Sequence, residues 1–264
     1  MTTGLVVLIP LMLLPVVWIV VQSVLGRGQA LRLPPVWLST NPTLHNYAQV
    51  FSLAPFVTFF VNSIKITSIV TVGSLITSSL AAYAFARLKF PGRDALFIGF
   101  LAALMIPNQV TAAPTYILMH HLKLSSSQAA VWLPGLVNVF GIFLLRQFFQ
   151  GIPRDLEDAA RLDGLGTLRI LWRIILPLSK PALAALAILI AATTWNDYFW
   201  PSIYLTNRSQ MTLPLGIVSL KGEYQQGSPV VIFAAISLTV LPLLIVFLFA
   251  QRAITTSLAM TGFK

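Results

Sequence analysis

Carboxylates are scarce in this 264-residue chain, and their positions are informative. Asp94, Asp155, Glu157, Asp158, Asp163, Asp197 and Glu223 are the full set, and Asp155, Glu157, Asp158 and Asp163 crowd into one short stretch. There, Pro153 and Asp155 are good helix-start residues, and Glu157 and Asp158 suit the positive end of the helix dipole. The other chemistries have no carrier. Cysteine is absent, which excludes thiol catalysis, disulfides and cysteinyl metal sites. His45, His120 and His121 have no metal-ligand spacing. No Gly-Lys dipeptide occurs, so the phosphate-cradling Gly-x-x-x-x-Gly-Lys-Ser/Thr loop is missing. A nucleophile with its base, as an intramembrane enzyme requires, is not found in the apolar segments. No catalytic residue and no metal ligand is assigned.

The elements that must present the acidic stretch are set by its neighbours. Ala159 and Ala160 keep one face small, which allows close approach of another surface. Gly164 then stops or turns the helix. A second helix is predicted to start near Thr167, with Leu168, Leu171, Trp172 and Ile175 at helical spacing and Arg169 and Arg173 on another face. Pro177 ends this part. A short helix, a glycine turn and an amphipathic helix fit docking onto a protein. A helix pair lying on a membrane surface without a partner is the other reading.

The rest of the chain supplies the base. It is 57% hydrophobic and 9% charged, against roughly 25% charged in soluble domains, so lipid is its expected solvent. The net charge of +10 would also suit nucleic acid, but the basic residues sit in short loops between apolar runs, and nucleic acid is not expected as a partner. Runs of about 20 apolar residues cross a bilayer as helices, because backbone groups must be paired inside lipid. Six such spans are predicted: Leu5–Leu25, Val57–Ala86, Ala95–Ala113, Ala129–Phe149, Leu176–Trp195 and Val230–Ala250. The first lacks a basic leader and a clear cleavage site and is read as a retained span. The third is interrupted by Pro107-Asn108-Gln109. Lysines and arginines set the orientation. With the amino terminus inside, Arg87, Lys89, Arg93, Arg146, Arg154, Arg161, Arg169, Arg173, Lys180, Arg252 and Lys264 are cytoplasmic; Arg27, Arg32, Lys123, Arg208 and Lys221 are outside. Both termini are therefore expected in the cytoplasm, and the acidic loop with them.

The pattern Asp158-Ala159-Ala160, Gly164, Ile174, Leu176-Pro177 resembles the Glu-Ala-Ala loop of the inner-membrane permeases of ABC importers. Asp158 stands where that motif has glutamate, with Glu157 directly before it. Thr43-Leu44-His45-Asn46-Tyr47, Asn62-Ser63, Ala82 to Arg87 with Phe90-Pro91-Gly92, Trp195 to Pro201, and Thr212 to Gly216 resemble the sugar-importing branch, the maltose-type second permease in particular. The resemblance covers about residues 43 to 252; the tail from Ile254 to Lys264 departs from the glycine-rich ending of that branch.

The resemblance implies an all-α type I ABC importer permease fold in the bacterial inner membrane. Residues 1–56 would hold the first span and an external segment, 57–252 the permease core with a coupling loop at 150–177, and 253–264 a cytoplasmic tail. Glu157, Asp158, Ala159, Ala160, Asp163 and Gly164 would couple to the ATPase. The implied partners are a second permease, two ATP-binding subunits carrying ATP and Mg, and an extracytoplasmic solute-binding protein. Membrane lipid surrounds them, and no cofactor is expected on this chain. Asn62, Asn108, Gln109, Asn138, Trp195 and Asn196 offer the hydrogen bonds and aromatic faces that sugars use. Such residues also hydrogen-bond neighbouring helices or mark the membrane interface. A self-sufficient carrier or channel not driven by ATP is the alternative function. Ion-coupled carriers generally need ionisable groups within their spans, and the acids here lie at span ends or in loops.

Overall fold

The structure is a computed structural model that describes all residues except Met1, Arg27, Leu31, Leu33, Pro35, 38–40, 224–227 and 262–264; side chains are also left undescribed at 1–11, 221–223 and 246–261. Of the cations that set the orientation, Arg27 and Lys264, and the side chains of Lys221 and Arg252, lie outside the described residues, as does that of Glu223.

Among the described residues all regular structure is helical. The order is α1 (Thr2–Ser23), α2 (His45–Leu53), α3 (Phe56–Arg87), α4 (Arg93–Ala103), α5 (Ala112–His121), α6 (Ala129–Gly135) and α7 (Val139–Gln150). Then come α8 (Asp155–Leu162), α9 (Thr167–Ile170) running through a π turn (Leu171–Ile175) into α10 (Leu176–Leu178), α11 (Lys180–Trp195), α12 (Phe199–Tyr204), α13 (Leu213–Glu223) and α14 (Pro229–Thr261). Among the described residues two stretches are long and apolar enough to cross a membrane, Phe56–Arg87 and Ala129–Gln150. Thr167–Leu178 with Lys180–Trp195 would make a third, bent by 81° at Ser179. Met12–Ser23 and Pro229–Ile245 are shorter apolar segments.

Several expected elements change. The third span, Ala95–Ala113, is not one helix: α4 stops at Ala103, a run of turns carries Pro107, and α5 starts at Ala112. Proline lacks the N–H that a continuous helix would use there. The fifth begins at Lys180, after the bend, and not at Leu176. Asn138 divides the fourth by accepting from the Gly141 N–H at 2.8 Å, which makes it the N-cap of α7.

The helices group into two units. The first holds residues 1–63 and 206–245. Within it, the amide of Asn46 donates to the carbonyls of Ser23 and Leu25, both at 2.8 Å, and so satisfies acceptors left open at the end of α1. The Leu213 N–H at the start of α13 donates to the Ser63 hydroxyl. Gly216 lies against the fully buried Phe59: a Cβ there would stand 2.2 Å from the ring, so only glycine allows this approach. The second unit, residues 64–205 and 246–264, contains the aromatic core of Phe85, Phe97 and Ile142 together with the acidic loop.

Candidate coupling site

Helix α8 is eight residues long, with Asp155, Glu157 and Asp158 in its first turn. An isolated helix of this length is marginal in water, so tertiary contacts must hold it. Glu157 supplies them. Its side chain is 3% exposed, and Oε1 lies 2.7 Å from Nε of Arg87, itself 4% exposed at the end of α3. The Tyr83 hydroxyl, one turn earlier on α3, donates to Oε2 at 3.1 Å. Arg87 also donates through Nη2 to the carbonyls of Phe149 and Ile152, at 2.6 and 2.5 Å. One guanidinium thus ties together the ends of α3 and α7 and the start of α8. Buried charges persist when paired and hydrogen-bonded in this way.

The opposite face of α8 is open. Asp158 is 63% exposed and pairs with Arg161 on its own helix at 2.9 Å; Nη2 of Arg161 stands 3.7 Å from Glu157. Ala159, Asp163 and Gly164 are exposed, whereas Ala160 is buried. The alanine pair therefore does not form one small outward face: Ala160 packs inward beside Glu157, and Ala159 alone looks out. Gly164 has φ +79°, a left-handed conformation. Its N–H reaches the Arg161 carbonyl, and the Leu165 N–H reaches that of Ala160, both at 3.0 Å. This is the Schellman closure, which needs glycine at the turn.

Beyond the turn, the apolar face differs from the one helical spacing predicts. Ile170, Leu171 and Ile175 are buried, while Leu168 and Trp172 are exposed. The π turn adds residues to one revolution and so rotates the helix on its far side. Leu162 on α8 is 90% exposed, and Leu168 and Trp172 on the helix after the glycine turn are exposed as well. Tyr83 and Arg87 hold Glu157, and spacing along the loop did not point to them. Both lie in the stretch Ala82 to Arg87 that carries part of the resemblance, but nothing in that stretch tied them to Glu157.

The residues assigned to a solute path fall apart. Asn108, Gln109 and Asn138 line one cavity of about 500 Å³ together with Thr194, Asp197 and Trp200. Asn62 is outside that set: its amide is buried and donates to the carbonyls of Ser209 and Met211, at 2.9 and 3.0 Å. Trp195 is buried, and exposed Asn196 donates back to the Ala192 carbonyl at 2.8 Å. Asp197, just past α11, accepts the Trp200 N–H at 3.3 Å, and burial raises its carboxyl above the ordinary value against the pull of backbone N–H groups. Among the described residues no group of three or more His, Cys, Asp or Glu could hold a metal ion.

Residues 73–259 match the family described as binding-protein-dependent transport system inner membrane component. The arabinooligosaccharides transport system permease protein AraQ of Halalkalibacterium halodurans is 37% identical over 84% of this chain and 80% of its own length. The sn-glycerol-3-phosphate transport system permease protein UgpE of Yersinia pestis is 37% identical over 75% and 71%. The inner membrane ABC transporter permease protein YcjP of Escherichia coli is 30% identical over 99% and 94%. Among solved structures, a chain of a bacterial ABC transporter involved in the import of the acidic polysaccharide alginate superposes with a TM-score of 0.81 at 27% identity, covering 95% of this chain and 94% of that one.

Proposed function

This chain belongs to the binding-protein-dependent transport system inner membrane components, and from that premise we propose that it forms half of a carbohydrate path whose opening is driven through α8. It is a multi-pass inner-membrane permease subunit of an ABC importer, with ATP hydrolysed on a separate subunit and solute delivered by a binding protein. In our reading, six spans cross the membrane with both termini in the cytoplasm, the third and fifth of them broken. A second, different permease completes the path, and two ATP-binding subunits with ATP and Mg dock beneath. The division into 1–56, 57–252 and 253–264 belongs to the same reading.

The observation that carries the coupling role is the division of α8 into a locked face and an open one. Glu157 is held through Arg87 to the ends of α3 and α7 and Ala160 is buried, while Asp158, Ala159, Leu162 and Asp163 are left uncovered. An apolar side chain as exposed as Leu162 on a rigidly held helix suits a protein cleft. Force on the open face would pass to both helices through one buried guanidinium, so the two-state partner biases the path directly.

Proteoliposomes holding the whole assembly are the test. Uptake of a radiolabelled trisaccharide, arabinotriose or maltotriose, should require internal ATP and external binding protein together. Solute movement by this chain alone, without ATP, would contradict the reading.

A further inference from the structure

We infer that the cavity between α6, α11 and α12 is a cargo-contact site selective for an uncharged saccharide over anionic cargo. The inference rests on the importer reading and names the cargo class of that path.

Three features carry it. First, the lining is rich in groups that bind hydroxyls. Asn138, whose Oδ1 accepts from the Gly141 N–H, lines it together with exposed Asn108 and Gln109 and half-buried Thr194. Second, Trp200 is a prepared platform. Its ring lies parallel to that of fully buried Tyr204, 6.3 Å away and within 9°, and Tyr204 stacks in turn on Tyr116, 5.9 Å away and within 11°. A rigid indole face suits the C–H face of a pyranose or furanose and loses little entropy on binding. Third, among the described residues the one charged side chain lining the cavity is Asp197, with no lysine, arginine or histidine beside it. A carboxylate accepts sugar hydroxyls well, whereas a phosphate ester or uronate there meets a like charge in a partly desolvated site with no cation to offset it. Rejection built from a repulsive group is a recognised route to specificity. The cavity, about 500 Å³, lies within the range of small-ligand sites. A relative named for glycerol-3-phosphate transport and a structure of an importer of an acidic polysaccharide are similar to this chain, so the overall likeness alone does not set the cargo class.

The chain contains no cysteine, so a thiol can be placed in the cavity alone. The Thr194→Cys chain, in the complete assembly, is treated with the cationic trimethylammonium-ethyl and the anionic sulfonato-ethyl methanethiosulfonates, and modification of this chain is followed by mass spectrometry. After correction for their rates with a free thiol, the cationic reagent should react about tenfold faster, as one nearby partly desolvated charge implies. Adding Asp197→Asn should remove the preference. Arabinotriose or maltotriose, loaded on the binding protein, should slow modification, and Trp200→Ala should abolish that protection. Equal or faster reaction of the anionic reagent overturns the inference, and so does protection by sn-glycerol-3-phosphate without protection by either trisaccharide. Thr111→Cys, on the cavity's other wall, repeats the measurement if Thr194→Cys fails to assemble. ATPase stimulation by loaded binding protein, read in the same vesicles, reports the importer reading separately.

Discussion

Arg87→Ala should cost the purified assembly about 3–5 kcal/mol of stability, the penalty for leaving one member of a buried ion pair alone. Glu157 would keep only the Tyr83 hydroxyl at 3.1 Å and the more distant Arg161 at 3.7 Å, both too little for a carboxylate that is 3% exposed. The carbonyls of Phe149 and Ile152 would lose their shared donor as well. The measurement is the thermal unfolding midpoint of the purified assembly, with ATP-driven uptake alongside. Replacing both members, Arg87→Met with Glu157→Leu, should recover much of the stability, because apolar side chains of similar volume do not carry a desolvation penalty. Uptake should recover less, since the carbonyls at the end of α7 then have no tie to α3. A single Arg87→Ala that unfolds like the parent chain would show that the pair does not hold α8.

Gly164→Val should leave the assembly folded but cut ATP-driven uptake more than tenfold. The left-handed backbone at φ +79° costs a side chain roughly 1–2 kcal/mol, and a β-branched one most. Nothing lies within 4 Å of a Cβ built there, so the penalty is conformational and the helix end is expected to re-form elsewhere. That would move Asp163 and the outward face of α8 while Glu157 stays anchored. Gly92 is the control: its φ is +77°, its Cβ position is equally open, and it starts α4 outside the coupling loop. Gly92→Val should cost similar stability and spare coupling. Equal loss of uptake in both variants would mean that strain alone, not the position of α8, was being measured.

The start and stop of α8 were legible because they are local: proline, an acidic first turn and glycine act within one turn of chain. Its orientation was not. Glu157, Ala160 and Arg161 share a face by period, but whether that face looks inward depends on Arg87, seventy positions earlier in the chain. Spacing alone also gave no reason to rank Glu157 above Asp158; burial separates them. The amphipathic pattern after Thr167 misplaced Leu168 and Trp172; a period of 3.6 fails for Trp172 and Ile175 within the π turn, which does not account for Leu168 ahead of it. In the spans, hydropathy located apolar chain and Pro107-Asn108-Gln109 marked the interruption of the third, but neither gave its bounds, Leu104–Thr111, nor the bend at Ser179. Asn62 and Asn138 illustrate the ambiguity of polar residues in such segments. One is used up by backbone carbonyls; the other caps a helix and still faces a cavity. Asp197 and Trp200 sat in a recognisable stretch, yet only the fold brings them beside Asn108 and Gln109.

Asp163→Cys gives the most direct reading of where the motor docks. In the purified assembly, a short thiol-to-amine crosslinker attached at this exposed position should join the chain to the ATP-hydrolysing subunit, and Asp94→Cys, exposed in the first turn of α4, should do so far less. An assembly that hydrolyses ATP at full rate while the Asp163→Cys chain never links to that subunit would contradict the placement of α8 in its cleft.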